Sequence, residues 1–296
     1  MYKYSLYGCT ISSTMEFPQL VVANTKNESD VVILDGGIPN EVLEEAEKNY
    51  YEIDDKVSWF QNHTGVFYIA KGSVIRYQLK EGANIQYART YILGYAISML
   101  LLQRDIMTIH CSAIAGEDGA ILIAGQSGSG KSTITTSYLK EGYQLMADDI
   151  VAIRINEEEN VMACPAFPYQ KLCRDAVNRE GFQPDELIYI DEDKDKFLVS
   201  RKEQFTDHPV KVKAMVMLGV YDGDKVEVEE ITGVNKLMAV RENLFLKRLS
   251  GEWLGKANLI KTCLEIGSKV PIYVVMRPVK SDTRLELKET LDKILR

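Results

Sequence analysis

The chain has 296 residues, 46% of them hydrophobic, with 35 Lys and Arg against 43 Asp and Glu, a formal net charge of −8. That length suits one large domain or two small ones, and the apolar share supports a buried core, which excludes disorder as the main state. The acidic balance argues against sequence-independent binding to nucleic acid or an anionic membrane, because phosphates are repelled overall. Five cysteines (Cys9, Cys111, Cys164, Cys173, Cys263) are scattered without a CxxC pair and read as reduced thiols. The first residues lack a charged head followed by an apolar stretch, so no signal peptide and a cytoplasmic location are expected. The longest apolar run, 91–102, is 12 residues, and a membrane span takes roughly 20.

Residues 1–86 read as a β-rich N-terminal part. Val31, Val32, Ile33 and Leu34 form a short strand closed by Asp35-Gly36-Gly37. Residues 41–49 carry a run of carboxylates and predict a short helix with a solvated face. Residues 65–70 and 73–77 flank Lys71-Gly72, a hairpin signature. The segment 87–105 is apolar nearly all round, as a buried helix is. From 107 onward strands alternate with helices. A strand over 107–115 contains His110, a turn occupies 116–119, and 120–124 is a wholly apolar strand. A glycine-rich loop and a helix to Glu141 follow, then strands over 144–147 and 150–155. Residues 210–221 and 225–231 read as a hairpin across Asp222-Gly223-Asp224. Two helices (233–249 and 253–266), a strand over 271–276 and a C-terminal helix finish the chain. The expected fold class is α/β with a mixed sheet, its core over 87–296.

Gly125-Gln126-Ser127-Gly128-Ser129-Gly130-Lys131-Ser132-Thr133 matches the phosphate-binding pattern G-x4-G-K-[ST], and it follows an apolar strand and opens a helix. Glycines let backbone N–H groups turn inward around phosphate oxygens, and the following helix aims its positive end at the same anion. Lys131 is expected to reach the outer phosphates of ATP, with the Ser132 hydroxyl placed for Mg²⁺. Asp148-Asp149 comes 17 residues after Lys131, with a single helix between, which predicts the pair beside the loop strand. Two carboxylates there can divide labour, one holding the metal shell and one accepting a proton from an attacking hydroxyl. His110 lies 21 residues before Lys131, on the strand expected to pair with the one entering the loop. Taken alone, a strand histidine is more often structural.

The segment Ile109-His110-Cys111-Ser112-Ala113, the glycine-rich loop and Ala147-Asp148-Asp149-Ile150-Val151 together resemble the bacterial HPr kinase/phosphorylase family. That family has a strand His, an apolar strand, a GxSGxGKS loop and an A-D-D-x-V segment at this spacing. The resemblance is specific over 109–151 and diffuse between 107 and 280. It implies a P-loop kinase core related to phosphoenolpyruvate carboxykinase, with His110, Lys131, Asp148 or Asp149 as active-site residues and Ser132 at Mg²⁺. The family's E-I-R-G-x-G segment has no counterpart, because Ala163-Cys164-Pro165-Ala166-Phe167-Pro168-Tyr169-Gln170-Lys171-Leu172 stands there. Its P-G-R-N stretch is also missing, leaving Met276-Arg277-Pro278-Val279. The chain is more similar to the HPr-kinase-like branch found with ribosomal peptide biosynthesis, which includes lasso-peptide precursor kinases.

The resulting expectation is an ATP- and Mg²⁺-dependent serine kinase acting on a peptide or small protein. Asp149 and Ser132 hold Mg²⁺ and Asp148 receives the proton near His110, with the two Asp roles exchangeable. A bifunctional HPr kinase/phosphorylase, an ATP-binding regulatory module and a small-molecule kinase are the alternatives. Lys171, Arg201, Lys202, Arg241 and Arg277 are not placed in the site. The resemblance implies self-assembly, with Trp59, Trp253 and the apolar helices as interface candidates.

Overall fold

The computed structural model describes residues 1–296 except Lys26, Glu192, Asp193, Lys194, Ser250, Ser281 and Arg296. A hairpin opens the first sheet, with β1 (Tyr2–Leu6) and β2 (Cys9–Ser13) joined at Tyr7 and Gly8. Both turn residues have positive φ, 53° and 77°, which matches the twist of a two-residue hairpin. β3 (Val21–Val22), β4 (Val31–Asp35), α1 (Asn40–Ala46), β5 (Tyr51–Glu52), β6 (Val57–Gln61), β7 (Gly65–Ala70) and β8 (Val74–Leu79) follow. The eight strands lie in the order β3-β1-β2-β4-β8-β7-β6-β5. β4 runs parallel to β2 and β8, and the other pairs are antiparallel. Lys71 and Gly72, at φ 57° and 59°, make the expected turn between β7 and β8.

The helix expected over 87–105 spans 85–102 as α2 (Ile85–Tyr91), a π-helical turn (Ile92–Ala96) and α3 (Ile97–Leu102). Asn84 caps it by accepting from the Gln86 amide at 2.8 Å. Ile92, Ala96 and Leu100 share one core with Ile33, Phe67 and Ile75 of the first sheet and with Met107, Ile109 and Leu122 of the second. Burial of each large apolar side chain is worth about 1.5–3 kcal/mol, so the helix bonds the N-terminal sheet to the rest.

The second sheet begins with β9 (Met107–Ile109), β10 (Cys111–Gly116) and β11 (Gly119–Gly125). After α4 (Lys131–Lys140) come β12 (Gln144–Ala147), β13 (Val151–Ile155) and β14 (Val161–Cys164). A small antiparallel sheet then forms from β15 (Tyr169–Cys173), β16 (Ile188–Asp191) and β17 (Lys196–Ser200), with α5 (Arg174–Arg179) after β15. β18 (Val210–Tyr221), β19 (Glu227–Glu230), α6 (Asn235–Glu242), α7 (Ala257–Lys269), β20 (Ile272–Pro278) and α8 (Arg284–Ile294) complete the chain. The large sheet runs β12-β10-β11-β18-β14-β13-β9, with β20 on β18 and β19 on β20. β11 is apolar throughout because both faces are covered. Ala120, Leu122 and Ala124 join the core around α2 and α3, while Ile121 and Ile123 pack with Ile134 and Tyr138 of α4 and Leu287 of α8. The molecule is α/β with mixed sheets.

Several local expectations change. The strand over 107–115 breaks at His110, since β9 pairs with β13 while β10 pairs with β11 and β12. The hairpin of 210–221 with 225–231 does not form. β20 enters between β18 and β19, so the apolar β20 takes the inner position and the exposed Glu-rich β19 the edge. The two late helices are shorter than expected, with 3-10 turns at Phe245–Arg248 and Glu252–Gly255. Trp59 and Trp253 are each 3% exposed, so they are core residues and not interface residues. The five cysteines are unpaired, and only Cys173 is exposed. Among the described residues no helix is long and apolar enough to cross a membrane.

Candidate active site

β11 delivers the chain to the glycine-rich loop, and α4 leaves from it. Gly125 has φ 142°, and a Cβ there would lie 2.4 Å from the Leu218 carbonyl oxygen of β18. Gly130 caps α4 at φ 110°, a conformation that a side chain would strain. The loop is gripped from β20. Arg277 donates from Nη2 to the Gly128 carbonyl at 2.7 Å and from Nε to the Ser129 carbonyl at 2.9 Å. In a trans peptide the N–H points opposite to the C=O, so fixing the Ser129 carbonyl turns the Gly130 amide away from Arg277. Lys131 Nζ donates to the Gly125 carbonyl and, at 3.4 Å, to that of Gln126. Ser132 and Thr133 lie on the first turn of α4, and the Ser132 carbonyl accepts from Gln170 Nε2 at 3.3 Å. Ser129 is 2% exposed, and its Oγ has no hydrogen-bond partner among the described residues.

The acid pair lies between β12 and β13. β12 is not beside the loop strand, as the short connection predicts, but one strand further out, because β10 and β18 already flank β11. That position brings Ser112 of β10 against the pair. Its Oγ donates to Asp148 Oδ1 at 2.6 Å, while the Lys171 amide of β15 donates to Oδ2 at 2.7 Å. Asp149 adopts φ 75°, rare for a residue with a side chain, and this turns it out of line with Asp148. Its Oδ2 accepts from Lys171 Nζ at 2.7 Å, and its Oδ1 lies 3.6 Å from His110 Nε2. His110, at the break between β9 and β10, donates its amide to the Asn243 carbonyl at 2.7 Å. Its ring stacks on Phe245, with centroids 6.0 Å apart and planes at 4°. Gln170, fully buried, accepts from Thr136 of α4 and from Arg201, which ties β15 to the loop helix.

The charges follow from burial and neighbours. Desolvation lowers the His110 pKa to about 4, with Arg248, Lys131 and Lys171 adding to that direction and Asp149 opposing it. The imidazole is therefore neutral at pH 7. Burial opposes ionisation of Asp149, but the charge and hydrogen bond of Lys171 outweigh it and hold the carboxyl below the ordinary range. Burial raises the Asp148 pKa, against the Ser112 hydrogen bond. Burial also lowers the Lys131 pKa, against the attraction of Asp149 and Asp148.

Residues 125–133, His110, Asp148 and Asp149 all open onto one cleft of about 1570 Å³. Among the described residues, its wall carries seven Lys and Arg against Asp148, Asp149 and Glu242, so the cleft is basic inside an acidic chain. Such a wall suits a small anion by its charge. No protein-family model matches the chain, and no curated protein sequence does. Among solved structures it is similar to the HPr(Ser) kinase/phosphatase from Coxiella burnetii, at 12% identity over 63% of this chain and 89% of that chain, with a TM-score of 0.33. A likeness of that size carries no argument about activity.

The sequence-predicted residues do meet at one place, joined by four others. Lys171 and Arg277, set aside in the sequence, hold the acid pair and the loop respectively. Ser112 stands within the His-Cys-Ser segment but carries no signal of its role until β10 and β12 are known to adjoin. Gln170 carries none either. Arg201, also set aside, acts at one remove through Gln170.

Proposed function

We propose that the chain is an ATP-dependent phosphotransferase that phosphorylates a serine hydroxyl of a peptide or small protein. The observation that carries this reading is the Arg277-clamped glycine loop sharing one cleft with Lys131 and the Asp148–Asp149 pair. The α4 N-terminus suits the triphosphate, and Lys131 suits its outer charge. The serine acceptor, and a ribosomal (lasso) peptide precursor as its carrier, rest on the resemblance of segment 109–151.

The geometry favours Asp149 for the acceptor hydroxyl. Its side chain is 25% exposed to the cleft, whereas both Asp148 oxygens are already engaged by Ser112 and the Lys171 amide. Asp149 accepts a hydrogen bond from the serine hydroxyl and orients its oxygen toward the γ-phosphorus. The serine O–P bond forms as the bond from γ-phosphorus to the β–γ bridging oxygen breaks, and the serine proton passes to Asp149 and then to water. Lys171 Nζ holds Asp149 at Oδ2, and the neutral His110 ring faces Oδ1 at 3.6 Å. Lys131 balances charge on the departing diphosphate. Among the described residues no three His, Cys, Asp or Glu side chains form a metal cage. Mg²⁺ shares its shell with phosphates and water, so it takes few protein donors, and the Ser132 hydroxyl with the cleft-facing Asp149 would hold it and its waters. When bound, it supplies charge neutralisation of the phosphates.

The test is transfer from γ-labelled ATP with Mg²⁺ to extract of the source organism, the product mapped by mass spectrometry. Label on a serine, absent with Asp149→Asn, is the expected result. Label retained in full by Asp149→Asn, or no ATP consumption at all, overturns the reading.

A further inference from the structure

From His110 the cleft continues beyond the acid pair along four further aromatic rings that the phosphate chemistry does not use. His110 stacks on Phe245, Phe245 meets Tyr95 at 5.2 Å, Tyr95 stacks on Tyr91 at 6.3 Å, and Tyr91 meets the exposed His63 at 5.6 Å. All five rings line the same cleft. Tyr95 lies in the π-helical turn and Tyr91 ends the α-helix just before it, a distortion that often marks a binding surface. Gln19 lines the cleft as well. It is 3% exposed, and its Oε1 has no donor among the described residues, although buried acceptors are nearly always satisfied. Its segment is held to the same helix, since Arg89 Nε donates to the Glu16 carbonyl at 2.7 Å.

We infer that this ladder is the docking track of the acceptor, an extended segment with bulky apolar or aromatic side chains at alternate positions from its serine. The inference rests on the kinase reading for the place of the serine, beside Asp149. An extended chain advances about 3.3 Å per residue with side chains on one face every second residue. Same-face side chains therefore recur about every 6.6 Å, somewhat more than the ring steps of 5.2 to 6.3 Å. Side chains at alternate positions thus meet the rings without exact register, the first of them two residues from the serine. Arg248, on the 3-10 turn that carries Phe245, makes that end of the track basic and suits a net-acidic segment. Gln19 Oε1 suits a peptide N–H. A nucleobase fits the ladder less well. In-line transfer puts the nucleotide on the opposite side of the γ-phosphate from the acceptor, and the ladder arrives at the acceptor side.

The test is fluorescence anisotropy with labelled nonapeptides of central serine and net negative charge, carrying Phe, Leu or Gly two residues from the serine. The full chain is used without ATP. Phe and Leu peptides are expected to bind about tenfold tighter than Gly peptides, a factor worth about 1.4 kcal/mol. Tyr91→Ala, and His63→Ala at a surface site that leaves the core intact, are expected to remove that preference. Equal binding of Phe and Gly peptides, or a preference untouched in both variants, overturns the inference. So does a Tyr91→Ala chain whose ATP affinity falls while its peptide preference persists, because the ladder then holds the base. Transfer to the same peptides, compared between wild type and Asp149→Asn, reads the kinase reaction separately. Peptide preference without transfer would overturn the kinase reading and leave the track standing.

Discussion

Asp149 stays ionised because Lys171 Nζ lies 2.7 Å from one of its oxygens, while Asp148, one residue away, is buried under two donors. The two substitutions therefore separate. Asp149→Asn is expected to lower kcat by about 10²–10⁴ with ATP affinity nearly kept. Asp148→Asn turns a donor toward groups that already donate, and urea unfolding is expected to show a loss of about 1–3 kcal/mol. His110 gives a pH signature. Its pKa falls from 6.5 to about 4 on folding, so the folded chain binds fewer protons than the unfolded chain between those values. The associated stability is full above pH 6.5 and is lost as pH falls through about 4. That loss amounts to at most about 3 kcal/mol for a side chain 23% exposed. Urea midpoints from pH 7 to 4 check this, and His110→Gln should flatten that part of the profile.

Individual elements owe their function to what holds them. The glycine loop is shaped by its own glycines and by Arg277 from β20, which takes two of its carbonyls. Arg277→Ala is expected to weaken ATP binding by about tenfold, with two charge-assisted hydrogen bonds lost, as isothermal titration would register. Unchanged affinity would mean that the loop holds its form alone. Gly125 is a harder constraint. A methyl group there meets the Leu218 carbonyl at 2.4 Å in a backbone region that side chains rarely adopt. Gly125→Ala should lower the thermal midpoint and ATP affinity together.

The same apolar core runs from the first sheet through the 85–102 helix into the second sheet. A chain joined in this way is expected to unfold as one unit. Trp59 reports on the first sheet and Trp253 on the C-terminal part, both from buried positions. Single-tryptophan variants, Trp253→Phe and Trp59→Phe, should give urea midpoints that coincide with circular dichroism. An early Trp59 transition would show that residues 1–86 melt by themselves.

Much of the active cleft is legible in the chain itself. The loop 125–133 combines a tight backbone pattern, a preceding apolar strand and a following helix, all of them short-range properties. The buried helix near 87–105 and the Lys71-Gly72 hairpin are likewise readable from local apolar pattern and turn chemistry. Positions that depend on which strands adjoin are not. The β20 strand inserts between β18 and β19 from residues far along the chain, which no hairpin signal at 222–224 can anticipate. The strand at His110 breaks because its two halves pair with different partners. Lys171 and Arg277 look like ordinary surface cations until β15 and β20 carry them to the acid pair and the loop. Sequence alone determined the local backbone pattern of the glycine loop and the presence of the acid pair. Only the tertiary structure decided which donors hold them and which acid faces the cleft, because long-range strand pairing sets those neighbours and burial sets their charge.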